Sequence, residues 1–170
     1  MGWETDSSTG IRYYRQDTTL GCPYACVAMA LRILKDKEVD ESDLRSRASK
    51  ISLMWDPDPN KQTDGANLAY VQGLLSQFAV ESEQQTLDEK GLKDAQAEGA
   101  QGYPLILGVR WNTNGKHLVV CTGKDSTSKQ VRILDPGVGP ILISAGLLYQ
   151  PTNSAHGSFD GKVLGGMCVV

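Results

Sequence analysis

The chain has 170 residues, 40% of them hydrophobic, with a formal net charge of -3 and a pI near 5.4. That describes a single globular domain, residues 1–170, able to bury a core without disulfide or metal staples. An acidic balance with no basic stripe argues against a nucleic-acid binder, and no apolar run approaches the roughly 18 residues that span a membrane.

Residues 1–10, MGWETDSSTG, are polar and read as a loose leader without the charged-then-apolar layout of a signal peptide. IRYYRQ, Ile11–Gln16, reads as a short extended piece. Cys22 followed by Pro23 marks a helix start, because proline is favoured at the first helical position. This helix runs to about Leu34. Cys26, Val27, Met29, Leu31, Ile33 and Leu34 supply apolar positions nearly all round, the pattern of a buried helix.

Asp40 caps a second helix, with Val39 and Leu44 placed as a hydrophobic staple. Met54–Gly65 is a loop by its Pro, Asp, Asn and Gly content. Ala66–Phe78 is a third helix with Leu68, Val71, Leu74, Leu75 and Phe78 on one side. A short strand at Ala79–Gln84 precedes a capping-box pattern, Thr86 and Glu89, that opens a fourth short helix ending at Gly99. YPLILGVRW, HLVVCTG, QVRILD and KVLGGMCVV then read as strands. Helices come first and strands follow, so the fold class is α+β rather than alternating βαβ.

The chemistry concentrates in few residues. A helix N-terminus carries partial positive charge and free N–H groups, so it stabilises a thiolate at Cys22. Cys26, one turn in, reads as an inert buried residue. A thiolate nucleophile needs a base, and the chain has two histidines, His117 and His156. His117 begins the apolar strand HLVVCTG, and His156 falls in a loop-like stretch. If the turn before QVRILD centres near Asp125–Thr127, His117 lies opposite Asp135. Cross-strand neighbours have Cβ atoms about 4.5–5.5 Å apart, and a carboxylate there fixes the imidazole tautomer and stabilises its cation. A slip of one residue would put the two side chains on opposite faces. Gln16, six residues before Cys22, can donate to a developing oxyanion together with the Cys22 backbone N–H.

In order, spacing and roles, Gln16, Cys22 at a helix start, His117 and Asp135 resemble the papain-like cysteine peptidases. Within that group the chain is most similar to the bacterial double-glycine peptidases that process bacteriocin and peptide leaders. Their glutamine-to-cysteine segment is matched by QDTTLGCPYACVAM, and their histidine strand and following strand by HLVVCTGKD and VRILDPGVG. The resemblance covers about residues 12 to 140. It implies a papain-like fold, with the nucleophile helix packed on a C-terminal antiparallel sheet. It also implies Cys22 as nucleophile, His117 as general base and then acid, Asp135 as orienting group and Gln16 as oxyanion donor. Two positions depart from the family pattern: Gly21 where an acidic residue is usual, and Pro23 where a small one is usual.

The resemblance further implies a protein substrate cut after small residues such as Gly-Gly. Free-standing domains of this type are also similar to papain-like toxins delivered into rival cells, a setting that implies an immunity or inhibitor protein as partner. The same triad serves glutamine deamidases and transglutaminases, which remain alternatives. The four cysteines are too scattered for a disulfide scaffold, and Cys22 and Cys26 lie one helical turn apart, a poor geometry for a mutual bridge. A reducing cytoplasm is therefore the expected site of action. No cofactor or metal is expected: a zinc site needs four placed ligands, and Asp56, Asp58, Asn60 and Asp64 do not match an EF-hand. Trp111 reads as a strand-end core residue. Gly165 and Gly166, although they resemble a double-glycine cut site, read as part of a tight strand.

Overall fold

The helix that begins at Cys22 runs through the hydrophobic core, and two helices and two strands pack against it. The computed structural model describes residues 2–51, 68–85, 102–111, 115–124, 130–143 and 162–169. In chain order the elements are β1 (Gly2–Thr5), β2 (Arg12–Arg15), α1 (Cys22–Lys35), α2 (Glu41–Lys50), α3 (Leu68–Ser76), β3 (Ser82–Gln85), β4 (Leu105–Trp111), β5 (Gly115–Lys124), β6 (Val131–Asp135), β7 (Gly139–Ile143) and β8 (Lys162–Val169).

Every residue of α1 from Cys22 to Leu31 is buried, as its apolar all-round pattern requires. Only the last turn emerges, and it stops in a well-defined way. Asp36 adopts a left-handed conformation (φ 52°). The Asp36 and Lys37 N–H groups return to the Arg32 and Leu31 carbonyls, and Arg32 and Lys35 complement the negative end of the helix dipole. The second helix starts at Asp40, whose side chain makes no capping hydrogen bond; the buried pair Val39 and Leu44 fixes its entry instead. Helix α3 buries Val71, Leu74 and Leu75, with Leu68 and Phe78 packed at the margin of the same core.

The strands form a β1–β2 hairpin and a six-stranded sheet in the order β3-β8-β4-β5-β6-β7 among the described residues, antiparallel throughout. Helix α1 packs on β5, where Leu118 and Val120 join Ala25, Cys26 and Met29 in one core cluster. The intervening residues Val119 and Cys121 are equally buried, so β5 reads as a continuous apolar run rather than an alternating one. The architecture is the α+β arrangement expected, with the helical part on one side of an antiparallel sheet.

One expectation is corrected and one strand is added. Residues 2–5 are not a loose leader: they pair with β2, Gly2 opposite Arg15 through Thr5 opposite Arg12. Trp3 stands edge-on to Tyr14 with ring centroids 5.3 Å apart, and Asp6 accepts hydrogen bonds from the Ser8 and Thr9 N–H groups to close the turn. Strand β7 was not anticipated, because Gly-Val-Gly-Pro at its start reads as pure turn. The structure sets Gly139 at φ 98° against the Tyr13 ring and continues into Ile141–Ile143. The expected loop at Met54–Gly65, the fourth helix from Thr86 to Gly99, the turn at Asp125–Thr127 and His156 lie outside the described residues.

Candidate active site

Cys22 is the first residue of α1 and is buried, 4% exposed. Gly21 is the cap position, Pro23 occupies the first turn, and that turn holds no acidic residue of its own. The positive end of the helix therefore acts on the sulfur undiminished by α1 itself. The thiols of the other cysteines described with side chains are raised. Burial pushes the Cys26 thiol well above its usual range, and nearby charge from Cys22 and Asp135 adds to it. Burial also raises Cys121 to about 11, against a lowering hydrogen bond from the Gly123 backbone.

His117 and Asp135 meet, though not as direct cross-strand partners. Between β5 and β6 the register sets Val120 opposite Leu134 and Cys121 opposite Ile133, with an irregularity between Cys121 and Lys124. Continued by one pair, that places Asp135 opposite Val119, two residues from the expected alignment. The irregularity itself shifts the ladder by one residue, since Lys124 lies opposite Val131. The difference from the expected alignment beside Asp135 is even, so the side chains keep the same face. As diagonal neighbours they are within reach of an imidazole, and His117 Nε2 lies 3.0 Å from Asp135 Oδ1. The side chains are 15% and 5% exposed. Burial disfavours the imidazolium, but hydrogen bonds to Asp135 and Cys22 and the charges on both outweigh it, raising the His117 pKa to about 10. Asp135 occupies Nε2, which leaves Nδ1 for the thiol.

The Asp135 carboxylate is held by a local contact as well. Its Oδ1 accepts the Gly137 N–H at 2.6 Å, closing the Asp135–Pro136–Gly137 turn on itself. The Pro136 carbonyl accepts the Gln16 backbone N–H at 3.0 Å, so the same turn ties the hairpin to the loop before Cys22.

Gln16 stands in that loop. Its amide nitrogen donates to the Thr18 carbonyl at 2.7 Å and to the Thr19 carbonyl at 3.2 Å. Two carbonyl acceptors on one side fix which end of the amide is nitrogen, since the reverse orientation would set oxygen against oxygen. Gln16 Oε1 is buried with no hydrogen-bond partner among the described residues. The Thr18 carbonyl also accepts the Gly21 N–H at 3.0 Å, so one peptide oxygen holds both the glutamine and the residue before the cysteine.

Sequence reading missed what lies beneath this loop. Glu41 and Arg45, the first and fifth residues of α2, are buried, 2% and 5% exposed. Glutamate and arginine four apart on a helix ordinarily mark a solvated face. The available signal was Leu44 between them, which turns that side of α2 toward the core. A hollow of about 390 Å³ opens behind the pair, lined by Asp17, Thr18, Ser42 and Ser46 among others; none of Cys22, His117 and Asp135 lines it. No cluster of three or more potential metal ligands occurs among the described residues. Gly165 and Gly166 lie inside β8, Gly165 opposite Gly108 and Gly166 opposite Leu107, which matches their reading as strand.

The Peptidase_C39 like family matches residues 8–139, a span that holds Gln16, Cys22, His117 and Asp135 and ends at the turn after Asp135. The chain belongs to that family. The C39-like chain is similar in structure to the peptidase domain of Streptococcus ComA, a bi-functional ABC transporter involved in a quorum-sensing pathway. The TM-score is 0.63 at 14% identity, covering 92% of this chain and 95% of that one. It is also similar to a double glycine motif protease from an AMS/PCAT transporter, solved with the leader peptide. There the TM-score is 0.58 at 21% identity, covering 99% of this chain and 89% of that one. No curated protein matches the chain. The fold is papain-like, and the family makes this a C39-like cysteine peptidase. No helix among its described residues is long and apolar enough to cross a membrane.

Proposed function

We propose that this C39-like domain is an endopeptidase in which Cys22, His117 and Asp135 act as the catalytic triad and Gln16 contributes to the oxyanion hole. The observation that carries the reading is the His117 Nε2–Asp135 Oδ1 contact of 3.0 Å, on the strand that packs against the helix headed by Cys22. An imidazole held charged beside a thiol at a helix N-terminus is the arrangement of a thiolate–imidazolium nucleophile.

In this mechanism the Cys22 thiolate attacks the scissile carbonyl carbon, forming the S–C bond. The carbonyl π electrons move onto oxygen, next to the Cys22 backbone N–H and Gln16. Donation from Gln16 exchanges its longer bond, the 3.2 Å contact to the Thr19 carbonyl. The C–N bond then breaks as His117 gives its proton to the departing amine. Water attacks the thioester carbon with neutral His117 taking its proton, the S–C bond breaks, and the acid product leaves as the Cys22 thiolate is restored. Asp135 holds the ring and stabilises its cation throughout, without itself being protonated.

The substrate class is a peptide or protein with small residues before the cut, Gly-Gly being the leading candidate. Support comes from the family and from the leader peptide bound to the similar AMS/PCAT protease. We place leader processing ahead of a toxin role in rival cells on that ground. A neighbouring transporter gene favours the first, and a small immunity-type gene favours the second. The test is to incubate the chain and its Cys22→Ala variant with candidate leader peptides and read the products by mass. A cut chain carrying new termini after Gly-Gly is the expected result. A gain of about one dalton at a glutamine, or a cross-link, would replace the peptidase by a deamidase or a transglutaminase.

A further inference from the structure

Buried ion pairs add little net stability, because desolvating two charges offsets their attraction. Glu41 and Arg45 are nonetheless buried together, with Arg45 Nε 2.8 Å and an Arg45 terminal nitrogen 2.6 Å from Glu41 Oε1. Several of their other contacts run to the segment between Gln16 and Cys22. Glu41 Oε2 accepts the Asp17 N–H at 2.9 Å, and Oε1 accepts the Thr18 hydroxyl at 3.1 Å. Arg45 donates to the Thr18 hydroxyl oxygen at 2.8 Å and lies over the Tyr24 ring of α1 at 4.3 Å. Tyr14 completes the cradle: its hydroxyl accepts the Glu41 N–H at 2.8 Å and donates to Asp17 at 3.1 Å.

Gly21 lies flush against this carboxylate. A Cβ built there would stand 2.6 Å from Glu41 Oε2, nearer than real Cβ atoms approach, and 3.0 Å from Oε1, a tight contact. Gly21 has φ -78°, a conformation open to any residue, so the glycine is required by the neighbouring carboxylate and not by the backbone. The acidic group beside the nucleophile thus comes from α2, seated where a side chain at position 21 would be.

We propose that Glu41 and Arg45 are positioning residues for the oxyanion loop. Glu41 serves as the template on which Asp17, Thr18 and Gly21 fold. Thr18 passes the alignment on, since its carbonyl holds both the Gln16 amide and the Gly21 N–H. Arg45 cancels the carboxylate's charge next to Cys22, so the template does not oppose the thiolate. The inference rests on the cysteine-peptidase reading above and adds to it the device that sets the oxyanion donors.

Two probes separate positioning from reactivity. N-acetyl-Gly-Gly aldehyde adds Cys22 sulfur to its carbonyl carbon, and the resulting oxygen needs the oxyanion loop. Iodoacetamide alkylates the thiol with no oxyanion, losing iodide. Both are applied to the full chain and its variants, with folding checked by circular dichroism. Glu41→Gln keeps the size but turns one acceptor oxygen into a donor, and aldehyde affinity should fall by about 10²-fold, the scale of a small misplacement. Alkylation of Cys22 should stay within about threefold. Gly21→Ala should weaken the aldehyde about tenfold by displacing the carboxylate. This steric variant decides the question if Glu41→Gln does not fold.

Wild-type aldehyde affinity in folded Glu41→Gln or in folded Gly21→Ala overturns the proposal. A wild-type chain that iodoacetamide modifies at Cys22 but the aldehyde does not bind overturns the existence of a formed oxyanion loop. Failure of iodoacetamide to modify Cys22 in the folded wild type would instead sink the underlying nucleophile assignment.

Discussion

The two halves of the candidate site are held in opposite ways. The His117–Asp135 half is fixed locally: one hairpin carries both residues, and the carboxylate is tied by an N–H only two residues on, at Gly137. The Cys22 half is fixed from a distance. Its loop is shaped by Glu41, 24 residues beyond Asp17 in sequence, and its helix is buried from Cys22 to Leu31. A base must keep one orientation, and a tight turn is enough for that. An oxyanion hole must hold several backbone and side-chain donors at once, which takes a rigid support behind the loop.

The comparison can be broken most severely at its join. Cys22→Ala should remove turnover by at least about 10⁴-fold while leaving the fold intact, and Cys26→Ala and Cys121→Ala should leave the chemistry standing. An active Cys22→Ala with an inactive, folded Cys26→Ala would reverse the assignment within α1. Next in size is Gln16→Ala, with a loss of about 10²–10³ in turnover and less change in substrate binding. Gln16→Glu should be worse, since it places a carboxylate against the Thr18 and Thr19 carbonyls as well as near the oxyanion. Near-normal turnover in folded Gln16→Glu would mean that the loop needs no donor at position 16.

The local half sharpens the contrast through pH. The His117 pKa is raised from 6.5 to about 10 in the folded chain, so its pairing contributes stability in full below about pH 6.5. That contribution fades as pH rises toward about 10, where the folded imidazolium loses its proton. Asp135→Asn should therefore lower the melting temperature more at pH 6.5 than at pH 10. An equal deficit at both ends would show that the carboxylate supports the turn but not the charge on His117. The smallest effect concerns packing: Leu74→Ala, in α3 behind α1, should lower stability by about 2–5 kcal/mol, the usual range for a fully buried leucine. Turnover of the folded fraction should be little changed, because the loop keeps its support from α2.

How far the sequence could be read follows the same division. Cys22–Pro23 announces the start of α1 through local chemistry, and the apolar all-round pattern announces its burial. His117 and Asp135 have the right parity for one face, and parity survives an even displacement of the ladder. The register itself was not legible, because the irregularity between Cys121 and Lys124 leaves no mark in residue type. Nor was the Glu41–Arg45 support, since a charged pair four apart looks the same on a solvated face as beneath a loop. Trp3 was the missed clue to β1: a tryptophan in a polar stretch needs an apolar partner, and Tyr14 supplies it.

Strand β8 has a consequence for how the protein comes into being. Residues 162–169 are inserted between β3 and β4, pairing on both sides. While the ribosome is still translating, the edge of β4 that β8 will cover has no strand to pair with, and β3 has no sheet to join. Loop closure over so long a stretch is slow, and an open strand edge invites pairing with other chains. The nascent chain therefore joins β3 to β4 only once residues 162–169 have been made. Chaperone dependence and the yield of soluble protein should accordingly hinge on β8, which carries none of the proposed site residues.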